Sequence, residues 1–173
     1  MRWPADLDPA DLRQPDGTTC GAAVALAARV LLEPGFRPTD PAAEIEHTHR
    51  LLTSSFSPRQ RFQLPWPRAL GTPPWALANT LAVLAGERVA TVNARPRPEV
   101  GYDVLRAQLA SRPVAVYLGS RWLPRHVVLA VSAVDGGVEV FDPASGRLVG
   151  VAEPRWTAHR VDLAGWSHVW FVV

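Results

Sequence analysis

The spacing of apolar and polar positions divides the chain into a helical first part and a strand-rich second part. From Cys20 to Leu32 small and apolar residues run on with only Arg29 between them, which predicts a helix buried on all sides. Glu33-Pro34-Gly35 stops it. Asp40 is placed to cap a second helix, Pro41 to Leu52, whose acids lie early and whose His and Arg residues lie late, as the helix dipole favours. A third helix fits Pro73 to Gly86, a short strand Arg88 to Asn93, and a fourth helix Glu99 to Ser111. Beyond Pro113 the pattern becomes β-branched and alternating. It predicts strands at Val114–Leu118, His126–Val134, Val138–Asp142, Arg147–Val151 and Val169–Val173. Residues 1–13 read as an extended acidic arm. Thr53 to Pro74, rich in Ser, Pro and Arg, reads as a long loop of the kind that often carries function. Helices first and an antiparallel sheet second define an α+β fold, and 173 residues are expected to form a single domain, 1–173.

Composition narrows the function classes. The formal net charge is +2 and all 18 basic side chains are arginines interleaved with acids, so no basic stripe points to nucleic acid. Arg59-Gln60-Arg61 with Arg68 reads as a solvated loop. No apolar run at the N-terminus suggests a signal peptide, and no stretch has the length of a membrane span. The lone Cys20 excludes an internal disulfide and suits a reducing, cytoplasmic setting. His47 and His49 stand two apart on a helix, where side chains diverge; with no further ligand cluster they read as exposed polar positions. Neither a metal nor a cofactor is expected.

The candidate chemistry lies in Gln14-Pro-Asp-Gly-Thr-Thr-Cys20-Gly21. Thr18 or Thr19 is suited to cap the helix that Cys20 opens. A thiol in a first helical turn meets the positive end of the dipole, which favours the nucleophilic thiolate. Gln14 can supply a side-chain amide which, with the Cys20 N–H, would face a developing oxyanion. Gly21 leaves room for a substrate backbone. His126 opens one strand of a hairpin and Asp142 ends the other, so the aspartate could orient the imidazole. Register decides whether it can. A three-residue loop at Asp135–Gly137 would pair Asp142 with Ala130, about 13 Å along the strand from His126. A tight two-residue turn would put Asp142 on the opposite face. A bulge or strong twist is therefore required. His159 and His168 read as surface or interface residues, His168 being the fallback base.

This order of residues resembles the papain-like cysteine peptidase superfamily. The Cys-Gly pair and the stretch His126-Val-Val-Leu-Ala-Val, followed by Val140-Phe-Asp-Pro-Ala-Ser-Gly146, are most similar to the bacteriocin-leader (double-glycine) processing group, family thirty-nine of the cysteine peptidases, and its stand-alone relatives. The matching blocks are roughly residues 14–32 and 125–148. Ala22 stands where close relatives often have proline. The resemblance implies a papain-like fold, with the cysteine on a buried helix of an N-terminal helical part and an antiparallel sheet after it. It makes Cys20 the nucleophile, His126 the base, Asp142 the orienter and Gln14 the oxyanion donor. The expected activity is hydrolysis of a peptide or amide bond in a peptide or protein substrate through a thioester. Trp122 and the 53–74 loop are candidates for lining the substrate groove. Two other readings use the same residues: an acyltransferase or deamidase, and a peptide-binding module of this fold without turnover.

Overall fold

A computed structural model describes residues 1–56 and 62–173. Within them the chain forms α1 (Cys20–Leu32), α2 (Pro41–Leu52), α3 (Pro74–Ala85), β1 (Val92–Asn93), α4 (Pro98–Gln108), β2 (Val114–Gly119), β3 (Pro124–Val134), β4 (Gly137–Asp142), β5 (Arg147–Ala152), α5 (Glu153–Thr157) and β6 (His168–Val172). The six strands make one antiparallel sheet in the order β1-β6-β2-β3-β4-β5. The class is α+β, with helices on both faces of the sheet.

One face carries Ala115, Tyr117, Val127, Leu129, Val131 and Phe141, packed with α1, α2 and α3. The other carries Val116, Leu118, Val128, Ala130 and Val140, packed with α4 and α5. Both sides of β2 and β3 are therefore covered, which explains the unbroken apolar runs there. In α1 every residue except Arg29, Leu31 and Leu32 is buried. Alanines and Gly21 let α2, α3 and the sheet approach it from different sides.

Several expectations need correction. Residues 1–13 are not an extended arm: Asp8 caps a 3-10 turn at Pro9–Leu12, Leu12 is fully buried, and Trp3 packs on Phe141 at 5.1 Å between ring centroids. Only Val92–Asn93 of the segment starting at Arg88 pairs as a strand, against β6. The helix α4 gives way to turns after Gln108, where the buried Arg112 guanidinium takes the Gln108 Oε1 at 2.7 Å and also donates to the carbonyls of Pro113 and Val173. The short α5 was not expected. Pro154 lies in its first turn and Trp156 anchors it in the core. The 53–74 segment contains ordered structure: Gln63 donates its amide to the last carbonyls of α2, and Arg68–Leu70 form a 3-10 turn. Arg59 and Arg61 lie outside the described residues.

The hairpin that joins β3 and β4 turns on only two residues, Asp135 and Gly136, with Gly136 at φ 68° and Val134 paired to Gly137. Such a turn alone would send Asp142 to the face opposite His126. The register shifts between Ala130 and Ser132, however, so that Ala130 pairs with Val140 and Leu129 with Phe141. Val131 is the extra residue. Continued to the end of β4, this pairing sets Asp142 level with Val128, on the same face as His126 and two residues from it. The bulge restores the parity and halves the expected separation.

Candidate active site

Cys20 is the first residue of α1 and is buried. Thr19 occupies the cap position, but its hydroxyl does not cap the helix. It turns back to Asp16, donating to the carbonyl at 3.2 Å and facing the Asp16 N–H at 3.3 Å. Thr18 likewise serves Asp16, donating from its N–H and hydroxyl to Oδ1 at 2.7 and 2.8 Å. The expected side-chain cap is absent, and the physical reason is this tight loop, which uses both hydroxyls. The first-turn N–H groups, which the helix itself cannot satisfy, are left uncapped beside the thiol.

His126 and Asp142 are both buried, and His126 Nε2 lies 2.7 Å from Asp142 Oδ1. With Nε2 committed to the carboxylate, Nδ1 is the ring nitrogen left for Cys20. Burial would push the imidazole pKa down, but the hydrogen bond to Asp142, then that to Cys20, and the charges of both outweigh it and hold His126 at about 9. Asp142 shows the mirror image. Burial would push its carboxyl up, yet the hydrogen bonds from His126 and Ser145 hold it below the ordinary carboxylate range. Its oxygens also receive the Ala144 N–H at 3.1 Å, the Ser145 N–H at 3.3 Å and the Ser145 hydroxyl at 2.7 Å. Asp142 is thus both partner to the imidazole and hub of the turn that follows β4.

Gln14 is tied to this hairpin. Its N–H donates to the Pro143 carbonyl at 2.9 Å, and the Arg13 Nε donates to Ala144 O at 3.1 Å. The loop before Cys20 is therefore docked on the chain immediately after Asp142. The Gln14 amide gives one hydrogen to Asp16 O at 2.6 Å, while Oε1 is buried with no partner among the described residues. The second amide hydrogen remains for another acceptor.

Gly21 serves a different purpose from the one expected. A Cβ built there would meet the Thr72 Cβ at 2.5 Å and its Oγ1 at 2.6 Å, so a protein side chain fills the space assigned to substrate. Gly21→Ala is accordingly expected to destabilise the fold by about 1–3 kcal/mol through overpacking, read as a fall in Tm. Unchanged stability would show that the segment around Thr72 can yield. Trp122 lies exposed in the β2–β3 loop, with the Arg121 guanidinium 4.5 Å above its ring. It stands at the end of the sheet that carries His126.

His49 also departs from expectation. His47 is exposed, but His49 is buried, and its pKa is held below the usual value by burial in spite of the charge on Asp16. The two rings diverge as helix geometry requires. His168 stacks on His159, with 5.1 Å between centroids, and is not the partner of Asp142.

Three contributors were not foreseen. Ser145 holds Asp142; the Asp-Pro-x-Ser order, in which aspartate often bonds the backbone two or three residues on, was the available signal. Tyr117 on β2 donates its hydroxyl to Thr72 O at 2.9 Å, and burial followed by the charge at Cys20 pushes its pKa well up. Thr72, with its Oγ1 buried and without a partner among the described residues, closes over Gly21. Nothing in the local sequence marked those two.

No family model matches the chain, and no curated protein matches it in sequence. Among the described residues no helix is long and apolar enough to cross a membrane.

Proposed function

We propose that the protein is a cysteine-nucleophile hydrolase of papain-like organisation, cleaving a peptide or amide bond in a peptide or protein substrate through an acyl-thioenzyme. The observation that carries this reading is the buried His126–Asp142 pair, 2.7 Å apart and interacting with the only cysteine of the chain at an uncapped helix N-terminus. In the proposed cycle the Cys20 thiolate attacks the carbonyl, and the oxyanion is met by the Cys20 N–H and the free hydrogen of Gln14 Nε2. The C–N bond breaks as the His126 imidazolium gives its proton to the leaving amine. Water then attacks the thioester, His126 takes its proton, and the thiolate departs. Replacement of that water by an amine would make the same site an acyltransferase.

The test is acid-quench mass spectrometry of the protein mixed with a peptide pool. A thioester adduct on Cys20 is expected, together with released amine fragments. No adduct on Cys20, or adducts only elsewhere, would overturn the reading. Gln14→Ala is expected to reduce turnover by roughly 10²–10³, the usual loss for one oxyanion donor, while Cys20 alkylation stays near its original rate. Equal loss of both would make Gln14 a support for the loop rather than a donor.

A further inference from the structure

A second cluster of basic side chains lies along the sheet from His126. Arg95, Arg121, His159, His168, Trp170 and Asn93, with Pro96, line an open cleft of about 420 Å³, and no carboxylate is among these residues. Leu118 pairs with His126 on one side and with Val169 on the other. The cleft therefore begins two strands from His126, about 10 Å away at the usual strand spacing.

The cleft is built rather than incidental. His159 adopts φ 53°, unusual for a residue with a side chain, and both of its ring nitrogens are engaged. Nδ1 accepts the Val169 N–H at 3.1 Å, so the hydrogen is on Nε2, which donates to Arg95 O at 3.1 Å. These two bonds fix the orientation of the ring against which His168 stacks at an interplanar angle of 16°. Ser167 Oγ lies 3.1 Å from His168 Nδ1, which leaves Nε2 without a protein partner among the described residues. The Arg95 guanidinium lies 4.4 Å over the Trp170 ring and donates to Arg121 O. Stacking on an aromatic face occupies the plane of a guanidinium and leaves edge N–H groups for a ligand. Neither Arg95 nor Arg121 has a carboxylate partner among the described residues. Burial and the charges of Arg95 and Arg121 lower the His168 pKa, so the group is short of a counter-charge.

We propose that this cleft is an anion-recognition site, which takes a carboxylate or phosphate group of a bound ligand between Arg95, Arg121 and His168. Two cations and an imidazole with a free nitrogen match the oxygens of such a group through charge-assisted hydrogen bonds. Binding itself does not depend on Cys20. Resting on the acyl-transfer reading, the 10 Å separation corresponds to about three residues of extended peptide, so the cleft would select an acidic residue at that distance from the reacting carbonyl.

The experiment follows the His168 ring by NMR in the full chain during titration with inorganic phosphate, with N-acetylaspartate methylamide, and with the neutral asparagine counterpart. A saturable His168 shift with an anion, and a His168 titration moved to higher pH in its presence, are expected. Arg121 is exposed, so Arg121→Gln should keep the fold, shown by an unchanged His126 resonance, and weaken binding roughly tenfold or more. A response to phosphate alone assigns the site to phosphate ligands, and a response to the aspartate derivative assigns it to acidic peptide; either supports the proposal. An equal response to the neutral amide, no response to either anion, or binding unchanged by Arg121→Gln would overturn it. A positive binding result without any acyl-enzyme would leave the anion site standing and remove the proposed catalysis.

Discussion

Replacing Cys20 with alanine is expected to abolish acyl-enzyme formation and to lower turnover at least about 10³-fold, while the fold persists. The sulfur is the only thiol in the chain, so no neighbour can take over the attack. Alanine suits the first turn of a helix whose buried face already consists largely of alanine, and thermal melting should therefore move little. His126 supplies an independent readout. Hydrogen bonding and charge at Cys20 help hold the imidazole at about 9, so Cys20→Ala should lower the His126 pKa, visible in an NMR titration of the ring. The two readouts separate two roles. Lost turnover with an unmoved His126 titration would mean that thiol and imidazole do not act as a pair, and the proposed ion pair would fail even if Cys20 is required.

The sequence shows the elements of this site more clearly than their fit to one another. The bounds of α1 and α2 follow from Glu33-Pro34-Gly35 and from Asp40-Pro41, because breakers and caps act locally. Cys20 is the first residue of α1, Asp142 the last of β4, and His126 lies near the start of β3, so local patterning draws the eye to all three. The relation between His126 and Asp142 was not readable. It depends on a two-residue turn combined with a bulge at Val131, and nothing in Ala130-Val131-Ser132 distinguishes a bulged strand from a regular one. Gly21 illustrates a second limit. A glycine beside a cysteine reads equally well as space for substrate or for protein, and only the arrival of Thr72, from a distant loop, decides between them. His49 illustrates the third. Its burial comes from tertiary packing around α2, which lies against α1 and α3, and this overrides the polarity of its neighbours in sequence.

Asp142→Ala is expected to cost about 3–5 kcal/mol of stability near pH 6, the usual consequence of breaking a buried ion pair, together with a loss of activity of 10²-fold or more. The pH dependence follows from the direction of each shift. His126 has its folded pKa raised from 6.5 to about 9, so its contribution is fully present below about pH 6.5 and is lost as pH rises through 9. Asp142 is shifted downward, so its contribution is present above about pH 4 and is lost as the carboxyl protonates in more acidic solution. The stability gap between wild type and Asp142→Ala should therefore be widest between about pH 4 and 6.5 and should narrow towards pH 9 and above. Asp142→Asn should be milder. Its oxygen can stand where Oδ1 accepts from His126 and from the Ala144 N–H, but its NH₂ would then face the Ser145 N–H in place of Oδ2. Loss of the negative charge should lower the His126 pKa while the ring keeps its orientation, so activity is retained in part and shifts with pH. Melting curves and pH–rate profiles of both variants decide the matter. Wild-type activity in alanine and asparagine variants alike would reduce the proposed triad to a Cys20–His126 dyad, with Asp142 serving the turn through Ala144 and Ser145.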